Sequence, residues 1–372
     1  MTKSFSIYLD LIRFSAAFVV LLWHSKPLYE FDLAISGYGH EAVIVFFVLS
    51  GFVIAYVTDA KEKTLKDYAI SRAARIYSVA IPAIIITALV DFSGYTLNSG
   101  AYPEAYRAWD HAGIRVISSL LFTNELWTLS TQLFSNVPYW SLNYEVWYYL
   151  AFAILTFVNG FKRWLIFGGI CLFVGPKIVL LMPVWWLGVY VYQSEYWRNI
   201  STAAAFLLFL FSIFGLYLYM AYNIGGWGSD YLLAIAGPDL HKEFAFSRYF
   251  ITDYYLGLVI AAHFIAVRKI SQNCANILNR VEKPVRILAG STFSLYLLHQ
   301  PLLWFFYAVF YAENPSFETF MLIVSLTLIA SFLIALVTEQ KKHVWKKWIT
   351  RIYNFFEQKI VNRLLLLRKT QR

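Results

Sequence analysis

The sequence predicts an all-α fold, a polytopic membrane bundle of about ten transmembrane helices with both termini in the cytoplasm. Hydrophobic residues make up 59% of the 372 residues and charged residues only 14%, against about a quarter in typical soluble domains. A soluble fold could not cover so much apolar surface, and 10 Pro and 2 Cys exclude collagen-like, disordered and disulfide-rich classes. Apolar stretches of the length that crosses a bilayer, about 20 residues, recur along the chain.

Ten apolar stretches are candidate spans. They begin near Ile7, His40, Ile76, Tyr139, Lys162, Ile178, Thr202, Phe250, Ser291 and Glu318. The fifth and sixth are short, and Gly175-Pro176-Lys177 between them is either a turn or a kink. The run from Ile114 to Leu133 carries Asn124 and Glu125, so we interpret it as an interfacial or re-entrant segment rather than a span.

The distribution of Lys and Arg predicts the orientation. Of the 31 cations, 24 fall in the termini and loops of one side, 6 in the opposite loops, and Arg13 lies inside the first span. The positive-inside rule places both termini in the cytoplasm. The formal net charge of +9 therefore does not indicate nucleic acid. Because Asp10 and Arg13 interrupt the first stretch and no small-residue cleavage site follows it, we expect a retained span rather than a signal peptide.

The chain divides into two parts. We expect a transmembrane domain over 1–340 and a basic amphipathic cytoplasmic tail over 341–372. The tail mixes ten cations with Trp345, Trp348 and Phe355, a pattern typical of an interfacial helix bound to anionic membrane lipids.

Ionisable residues in the first span are the first candidates for function, because a charge in hydrocarbon costs at least about 2.5 kcal/mol on insertion scales. Asp10 and Arg13 are three residues apart and share a helix face. Arg13 and His24 are eleven apart, which places them on one face about 16 Å apart along the axis. The alternatives are a buried structural pair for Asp10 and Arg13, and a packed or interfacial side chain for His24.

Arg72 and Arg75 lie one turn apart where the third span leaves the cytoplasm, at the depth of Arg13. Three guanidiniums converging there would suit phosphates, since the planar fork of Arg pairs with two oxygens at once. Ordinary anchoring under the positive-inside rule would also explain both arginines.

The fourth span places Ser141, Glu145 and Tyr148 on one face, at spacings of four and three. Glu145 is expected at the depth of His24, where a carboxylate would raise the basicity of the imidazole and fix its tautomer. A second imidazole, His299, lies near the middle of the ninth span, where a structural histidine beside a proline kink is the alternative. No set of metal ligands is apparent.

These motifs resemble those of the acyltransferase-3 family of integral membrane O-acyltransferases, which acylate bacterial cell-surface glycans. The resemblance runs in order through nearly the whole chain. The matching stretches are Leu9-Asp10-Leu11-Ile12-Arg13 with His24, Phe46 to Ile54 including Ser50-Gly51, Arg72 with Arg75-Ile76, Trp140-Ser141-Leu142 with Glu145, and Ser294 to Pro301 including Tyr296 and His299. Glu339 fits a common Glu near the last span, although the Pro expected soon after it is absent.

The resemblance implies an acyl-CoA donor, most often acetyl-CoA, and no permanently bound cofactor. The acceptor would be a hydroxyl of a lipid-linked or polymeric cell-surface glycan (O-antigen, exopolysaccharide or capsule), and the location the bacterial inner membrane. Outer loops 93–138 and 222–249 would face the acceptor. The competing interpretations are a transporter or flippase for an anionic or glycolipid substrate, although no pair of similar halves is apparent, and a signalling protein without catalysis.

On this basis each residue has an expected role. His24 is the general base or a transient acyl acceptor, and Glu145 orients it. Arg13, Arg72 and Arg75 bind the phosphates of coenzyme A. Ser50-Gly51 either lets the acyl-pantetheine approach closely or packs helices. The supporting residues are Asp10, Ser50, Ser141, Tyr148, Tyr296 and His299.

Overall fold

The structure, a computed structural model, describes residues 1–28, 33–106, 109–311 and 316–370, the last of these with side chains up to residue 359. Within these ranges the chain forms α-helices and short 3₁₀ turns and no β-strand. The helices are α1 Lys3–Ser25, α2 Gly39–Lys61, α3 Leu65–Leu97, α4 Ala112–Leu120, α5 Tyr139–Phe157, α6 Phe161–Val174, α7 Pro176–Gln193, α8 Glu195–Arg198, α9 Thr202–Ala221, α10 Ile224–Glu243, α11 Phe250–Ile270, α12 Ala275–Arg280, α13 Glu282–Ala289, α14 Thr292–Val309, α15 Phe317–Val337 and α16 Lys342–Thr370.

The predicted fold class is confirmed, because the helices form a membrane-type bundle. Each of the ten predicted span starts falls inside or within two residues of a helix. Six helical segments of the described chain are long and apolar enough to cross a membrane by length and composition. They are Lys3–Leu28, Gly39–Lys61, Leu65–Leu97, Thr202–Ala221, Ala245–Ile270 and Phe317–Lys359. The count of ten spans and the cytoplasmic placement of the termini stay predictions.

Two local alternatives are resolved by the backbone. Gly175 has φ 83° and ends α6, and Pro176 begins α7, so this point is a turn between two helices. Pro suits the first helical position because the N–H it lacks would have no intrahelical partner there. The region 222–249, expected as a loop, is instead mostly α10, with a break at Gly237, where φ is 77°. This stretch is helical although it contains glycines and a proline.

The segment 121–138 is not helical. Its residues 122–126 and 131–138 are buried or half-buried in the bundle, whereas 127–130 are exposed. The backbone N–H and the hydroxyl of Ser135 donate to Asp91 of α3, at 2.9 and 2.7 Å. Lys177 of α7 pairs with Glu125 at 3.1 Å, and each side chain is 1% exposed. Non-helical backbone is tolerated at membrane depth only where protein or a cavity surrounds it. This burial favours the re-entrant alternative over the interfacial one.

Helices α2 and α7 pack backbone against backbone. A Cβ added to Gly51 would overlap the carbonyl oxygen of Trp185, and one added to Gly188 would overlap that of Val48. Small residues at facing positions allow such close approach in membrane helices. Gly51 therefore packs helices, whereas the neighbouring Ser50 lines a cavity on the other side of α2.

The tail is helical, as expected of an amphipathic segment. Lys66 of α3 donates to Glu357 of α16 at 2.8 Å and lies 4.5 Å from the ring centroid of Tyr353. Trp348 and Phe355 are 64% and 61% exposed, so this helix carries large apolar side chains on its surface. Residues 371–372 of the predicted tail lie outside the described residues. The boundary at 340 stays a prediction.

Candidate active site

A charged cavity of about 70 Å³ lies between α1, α2, α3, α5 and α14. Two arginines and two glutamates line it, an unusual concentration of charge within an apolar bundle. Six of the predicted site residues share this lining, which is the main agreement between the sequence analysis and the structure. The polar lining residues are Arg13, Ser50, Arg75, Ser141, Glu145, Tyr149, Thr292, Tyr296 and Glu339.

Arg13 and Arg75 form one end of the cavity with Glu339. Glu339 follows α15 and accepts hydrogen bonds from the backbone N–H of Ser294 at 2.9 Å and from its hydroxyl at 3.2 Å. Both arginines interact electrostatically with Glu339 and with each other. Arg13 also pairs with Asp10 at 3.3 Å. Three carboxylates, those of Asp10, Glu145 and Glu339, interact with the two guanidiniums. Each guanidinium has five N–H groups, so donors remain for an anionic ligand.

Arg72 is not a lining residue. Its Nη2 pairs with Glu62 at 2.6 Å, with both side chains buried, and its guanidinium faces the rings of Tyr68 and Tyr149 at 5.5 and 6.0 Å. The expected convergence of three arginines is therefore found for two. Glu62 lies just beyond the end of α2, so the helix pattern gave no signal for this partner.

Glu145 contacts α2 rather than an imidazole. It accepts hydrogen bonds from the hydroxyl of Ser50 and from that of Tyr149, the latter at 2.5 Å. Ser50 in turn accepts from Trp185 Nε1 at 3.2 Å. Among the described residues no contact joins Glu145 to His24, so the expected pairing of the two is wrong. Equal depth in two helices does not decide which faces meet.

Tyr149, not Tyr148, completes the polar side of α5. The Tyr148 hydroxyl donates to the backbone carbonyl of Ile178 at 2.9 Å, and its ring packs between Phe47 and Trp185. Tyr148 therefore contacts α7 and does not line the cavity. The sequence analysis missed Tyr149, although its spacing of four from Glu145 is a known helix-face signal.

The imidazoles of His24 and His299 form a direct hydrogen bond. His299 Nε2 lies 3.0 Å from His24 Nδ1, and the ring centroids are 4.9 Å apart. His299 Nδ1 lies 3.1 Å from the carbonyl of Leu295, and His24 Nδ1 lies 3.0 Å from that of Val20. This hydrogen bond connects α1 to α14.

These partners assign the tautomers. A carbonyl only accepts, so both Nδ1 atoms carry hydrogen. The single hydrogen on His24 Nδ1 is shared between the carbonyl of Val20 and Nε2 of His299, and both of these accept. His24 Nε2 is then left with its lone pair. The position expected for Glu145, beside the imidazole it would orient, is occupied by His299.

The hydroxyls of Ser141 and Tyr296 separate the charged cavity from the two imidazoles. They lie 2.6 Å apart, and both residues line the cavity. On its far side the Tyr296 ring lies 6.1 Å from the His299 ring. His24 itself is not a lining residue. The polar groups thus follow one column, from Arg13 and Arg75 through Glu145 and Tyr296 to the imidazole pair.

Asp10, the remaining predicted residue, contacts α13. Its carboxylate pairs with Arg286 of α13, and Arg286 also donates to Ser6 at 2.8 Å. Asp10 thus connects α1 to α13 while also contacting Arg13. In the described chain no group of three or more His, Cys, Asp or Glu side chains is arranged to bind a metal ion.

A second cavity, of about 310 Å³, lies on the other side of α1 and α2, against α9 and α11. Its lining is almost entirely apolar, with Glu41 and His263 as the titratable members. His263 contacts the hydroxyls of Tyr8 at 2.5 Å and Ser212 at 3.0 Å. The sequence analysis singled out none of these residues.

The comparisons with known proteins give one match. The family model described as an acyltransferase domain, of the acyltransferase-3 type, matches residues 6–338, which include all the residues of the column. No curated protein and no solved structure matches the chain.

Proposed function

Since the chain belongs to the acyltransferase-3 family and is a multi-pass membrane acyltransferase, we propose that it transfers an acetyl group from acetyl-CoA to a hydroxyl of a cell-surface glycan. The family expected from the motifs is confirmed. The acetyl group, the glycan acceptor, lipid-linked or polymeric, and the bacterial inner membrane are proposals. The observation that supports the proposal most is the column from two arginines to an imidazole with a free lone pair.

The donor would enter from the end of the cavity at Arg13 and Arg75. Both guanidiniums have N–H groups for phosphate oxygens, and charge-assisted bonds of this kind are the strong ones. Arg72 is a further phosphate contact once it leaves Glu62. The arm that carries the acyl group would then extend past Ser50 and Glu145 towards Tyr296.

The volume of the charged cavity favours a short acyl chain. A space of about 70 Å³ holds only a few water molecules. An acetyl thioester fits such a space after modest widening, whereas a long acyl chain does not. The apolar cavity of 310 Å³ has room for a chain, but α1 and α2 separate it from the arginines.

His24 is the proposed base. Its Nε2 would take the proton of the acceptor hydroxyl as the oxygen attacks the thioester carbonyl. The new C–O bond forms, the C–S bond breaks, and coenzyme A leaves as a thiolate that receives the proton from His24. General-base assistance of this kind is worth about 10² to 10⁴ in rate. Attack by Nε2 itself, with an acylated His24 as intermediate, is the alternative.

His299 would position His24 rather than touch the substrate. By accepting from Nδ1, it keeps the lone pair of His24 on Nε2 and fixes the ring plane. Glu145 would act elsewhere, orienting Ser50 and Tyr149 along the path of the donor and balancing the charge of Arg75.

Purified protein in lipid nanodiscs, given radiolabelled acetyl-CoA and the surface glycan of its own cells, tests the proposal. Label should move to the glycan and be released by mild alkali, as expected of an O-acetyl ester. If the wild-type protein acetylates no glycan hydroxyl but exchanges the label with another acceptor, the glycan proposal fails while the family assignment stands.

A further inference from the structure

A third cavity, of about 320 Å³, lies on the other side of α2 from the charged one, where α8 and the end of α11 meet the start of α1. Three cationic side chains line it, those of Arg198, Arg268 and Lys269, together with Trp197 and Ile265, and its lining contains no carboxylate side chain. We call these five residues the basic pocket. The proposed mechanism uses none of them.

The two guanidiniums of the basic pocket are anchored by the end of α7. Arg268 donates to the carbonyl of Val191 at 3.2 Å, and Arg198 donates to that of Tyr192 at 3.4 Å. These carbonyls belong to the last turn of α7, which ends at Gln193, where the helix dipole is negative. Each Arg has five N–H groups, so most of the donors in the pocket remain available to a ligand.

Some other cations on this side of the protein have carboxylate partners. Lys3 pairs with Glu282 at 2.6 Å and Lys66 with Glu357 at 2.8 Å. Within the described ranges no carboxylate forms a salt bridge with Arg198, Arg268 or Lys269, and Arg198 and Arg268 repel each other electrostatically. An anion between them would remove this repulsion.

The position of the basic pocket indicates where such an anion comes from. The pocket lies at the side to which the distribution of Lys and Arg assigns both termini, and the inference depends on that orientation. Tyr196, beside Trp197, is 75% exposed, as expected of aromatic side chains at the level of lipid headgroups. Basic pockets between membrane helices on the cytoplasmic side bind the phosphates of anionic lipids.

We propose that the basic pocket binds the phosphate of an anionic phospholipid headgroup. A phosphate of coenzyme A would have the same chemistry. The lipid is favoured because α2 lies between the two cavities. Ser50 and Val53 line the charged cavity, whereas Phe52 lies beneath Arg268, 5.8 Å from its guanidinium. The pocket is thus on the opposite side of α2 from the donor.

Native mass spectrometry of the full-length, delipidated protein with added phosphatidylglycerol tests this. The double variant Arg198→Gln/Lys269→Gln leaves Arg268, which contacts α7 and Phe52, in place. Phosphatidylglycerol should bind the variant about 25-fold more weakly, about fivefold for each cation removed. Phosphatidylcholine should bind both proteins equally weakly. Arg280→Gln/Lys283→Gln removes two exposed cations from α12 and α13 and should retain wild-type affinity.

Three results would overturn the inference. Equal weakening in the two double variants would mean that phosphatidylglycerol responds only to net charge. Unchanged affinity in Arg198→Gln/Lys269→Gln would remove the pocket from lipid binding altogether. Displacement of phosphatidylglycerol by micromolar coenzyme A, with the same loss of coenzyme A affinity in the variant, would assign the pocket to the soluble phosphate instead.

Discussion

The charged cavity and the apolar cavity share α1 and α2 as a common wall, yet their chemistry is opposite. Arg13 of α1 lines the first, about 70 Å³ in volume, whereas its neighbour Ile12 lines the second, about 310 Å³. On α2, Ser50 contacts Glu145 in the first, whereas Val45 lines the second. Two adjacent faces of the same pair of helices thus provide a polar and an apolar compartment.

The difference shows that volume and ionisable groups select different cavities. The largest apolar pocket is the usual first hypothesis for a ligand site, and here that rule would select the cavity on the opposite side of α1 from the predicted site residues. In a membrane bundle the buried ionisable groups are the better guide to a functional site. Placing a charge in hydrocarbon costs free energy, so such residues are hypotheses for function by default. Both cavities contain a glutamate and lie near a histidine, so matched substitutions can test the distinction.

The largest effect is expected from the two histidines. In His24→Gln acetyl transfer should fall by about 10² to 10⁴, because glutamine cannot take the proton of the hydroxyl. In the control His263→Gln, which changes the apolar cavity, transfer should stay within about threefold of wild type. Initial rates with radiolabelled acetyl-CoA measure both. Equal losses of acetyl transfer in the two variants would mean that the charged and apolar cavities do not differ in their role.

Next in size is the effect of the arginines on donor binding. Arg75→Gln should weaken the affinity for acetyl-CoA by about 10- to 100-fold, the loss of one or two hydrogen bonds to a charged group. Arg72→Gln should weaken it less and should destabilise the fold instead, since it leaves Glu62 buried without its partner. Calorimetric titration and thermal unfolding separate the two. A larger loss of affinity in Arg72→Gln would mean that Arg72 is the main contact.

His299 is expected to affect kcat by positioning His24. His299→Phe removes one of the two acceptors of His24 Nδ1–H, leaving the carbonyl of Val20, and should lower kcat by about 10- to 100-fold, the range for partners that orient a functional histidine. His299→Gln keeps a carbonyl acceptor and should recover part of the rate, with KM for acetyl-CoA unchanged in both. If neither variant changes kcat, the imidazole pair is structural.

A smaller effect is expected from the glutamates. Glu145→Gln keeps the size of the side chain but removes the charge that faces Arg75 and the strong acceptor for Ser50, so kcat/KM should fall by about tenfold, the worth of one charge-assisted bond. Glu41→Gln, its counterpart in the apolar cavity, should leave kcat/KM unchanged. The same loss in Glu41→Gln would mean that the two compartments act together.

The smallest effect is expected from the two neighbouring tyrosines. Tyr148→Phe removes a hydrogen bond to Ile178 and should lower stability by about 1 kcal/mol without changing kcat. Tyr149→Phe removes a contact of Glu145 in the charged cavity and should lower kcat/KM severalfold. Thermal unfolding and initial rates on the same preparations measure both. Reversed results would place the active face of α5 where the sequence analysis put it.

The sequence predicted the fold class and most of the charged cavity because both depend on composition along single helices. Ionisable residues in apolar spans identified Arg13, Arg75 and Glu145 without any knowledge of packing. Contacts between helices were harder to predict. Depth in the membrane fixes one coordinate of a side chain, but the rotation of each helix decides its partner, so His24 meets His299 and not Glu145.

The same limit explains the other differences. At about 100° per residue, Tyr148 and Tyr149 lie about 60° and about 40° from Glu145 on opposite sides, so spacing alone does not separate them. The ring of Tyr148 packs against α7, whereas the hydroxyl of Tyr149 donates to Glu145. The stretch 222–249 was expected as an outer loop, and α10 occupies most of it. Local propensity is a weak guide where neighbouring helices supply the stability.

The central claim is that donor binding and proton abstraction belong to opposite ends of one polar column. The most direct test measures acetyl-CoA affinity and acetyl transfer on the same preparation of His24→Gln. The account predicts an affinity within about twofold of wild type and a transfer rate lower by at least about 10². Loss of acetyl-CoA affinity in His24→Gln, or transfer at the wild-type rate, would contradict it.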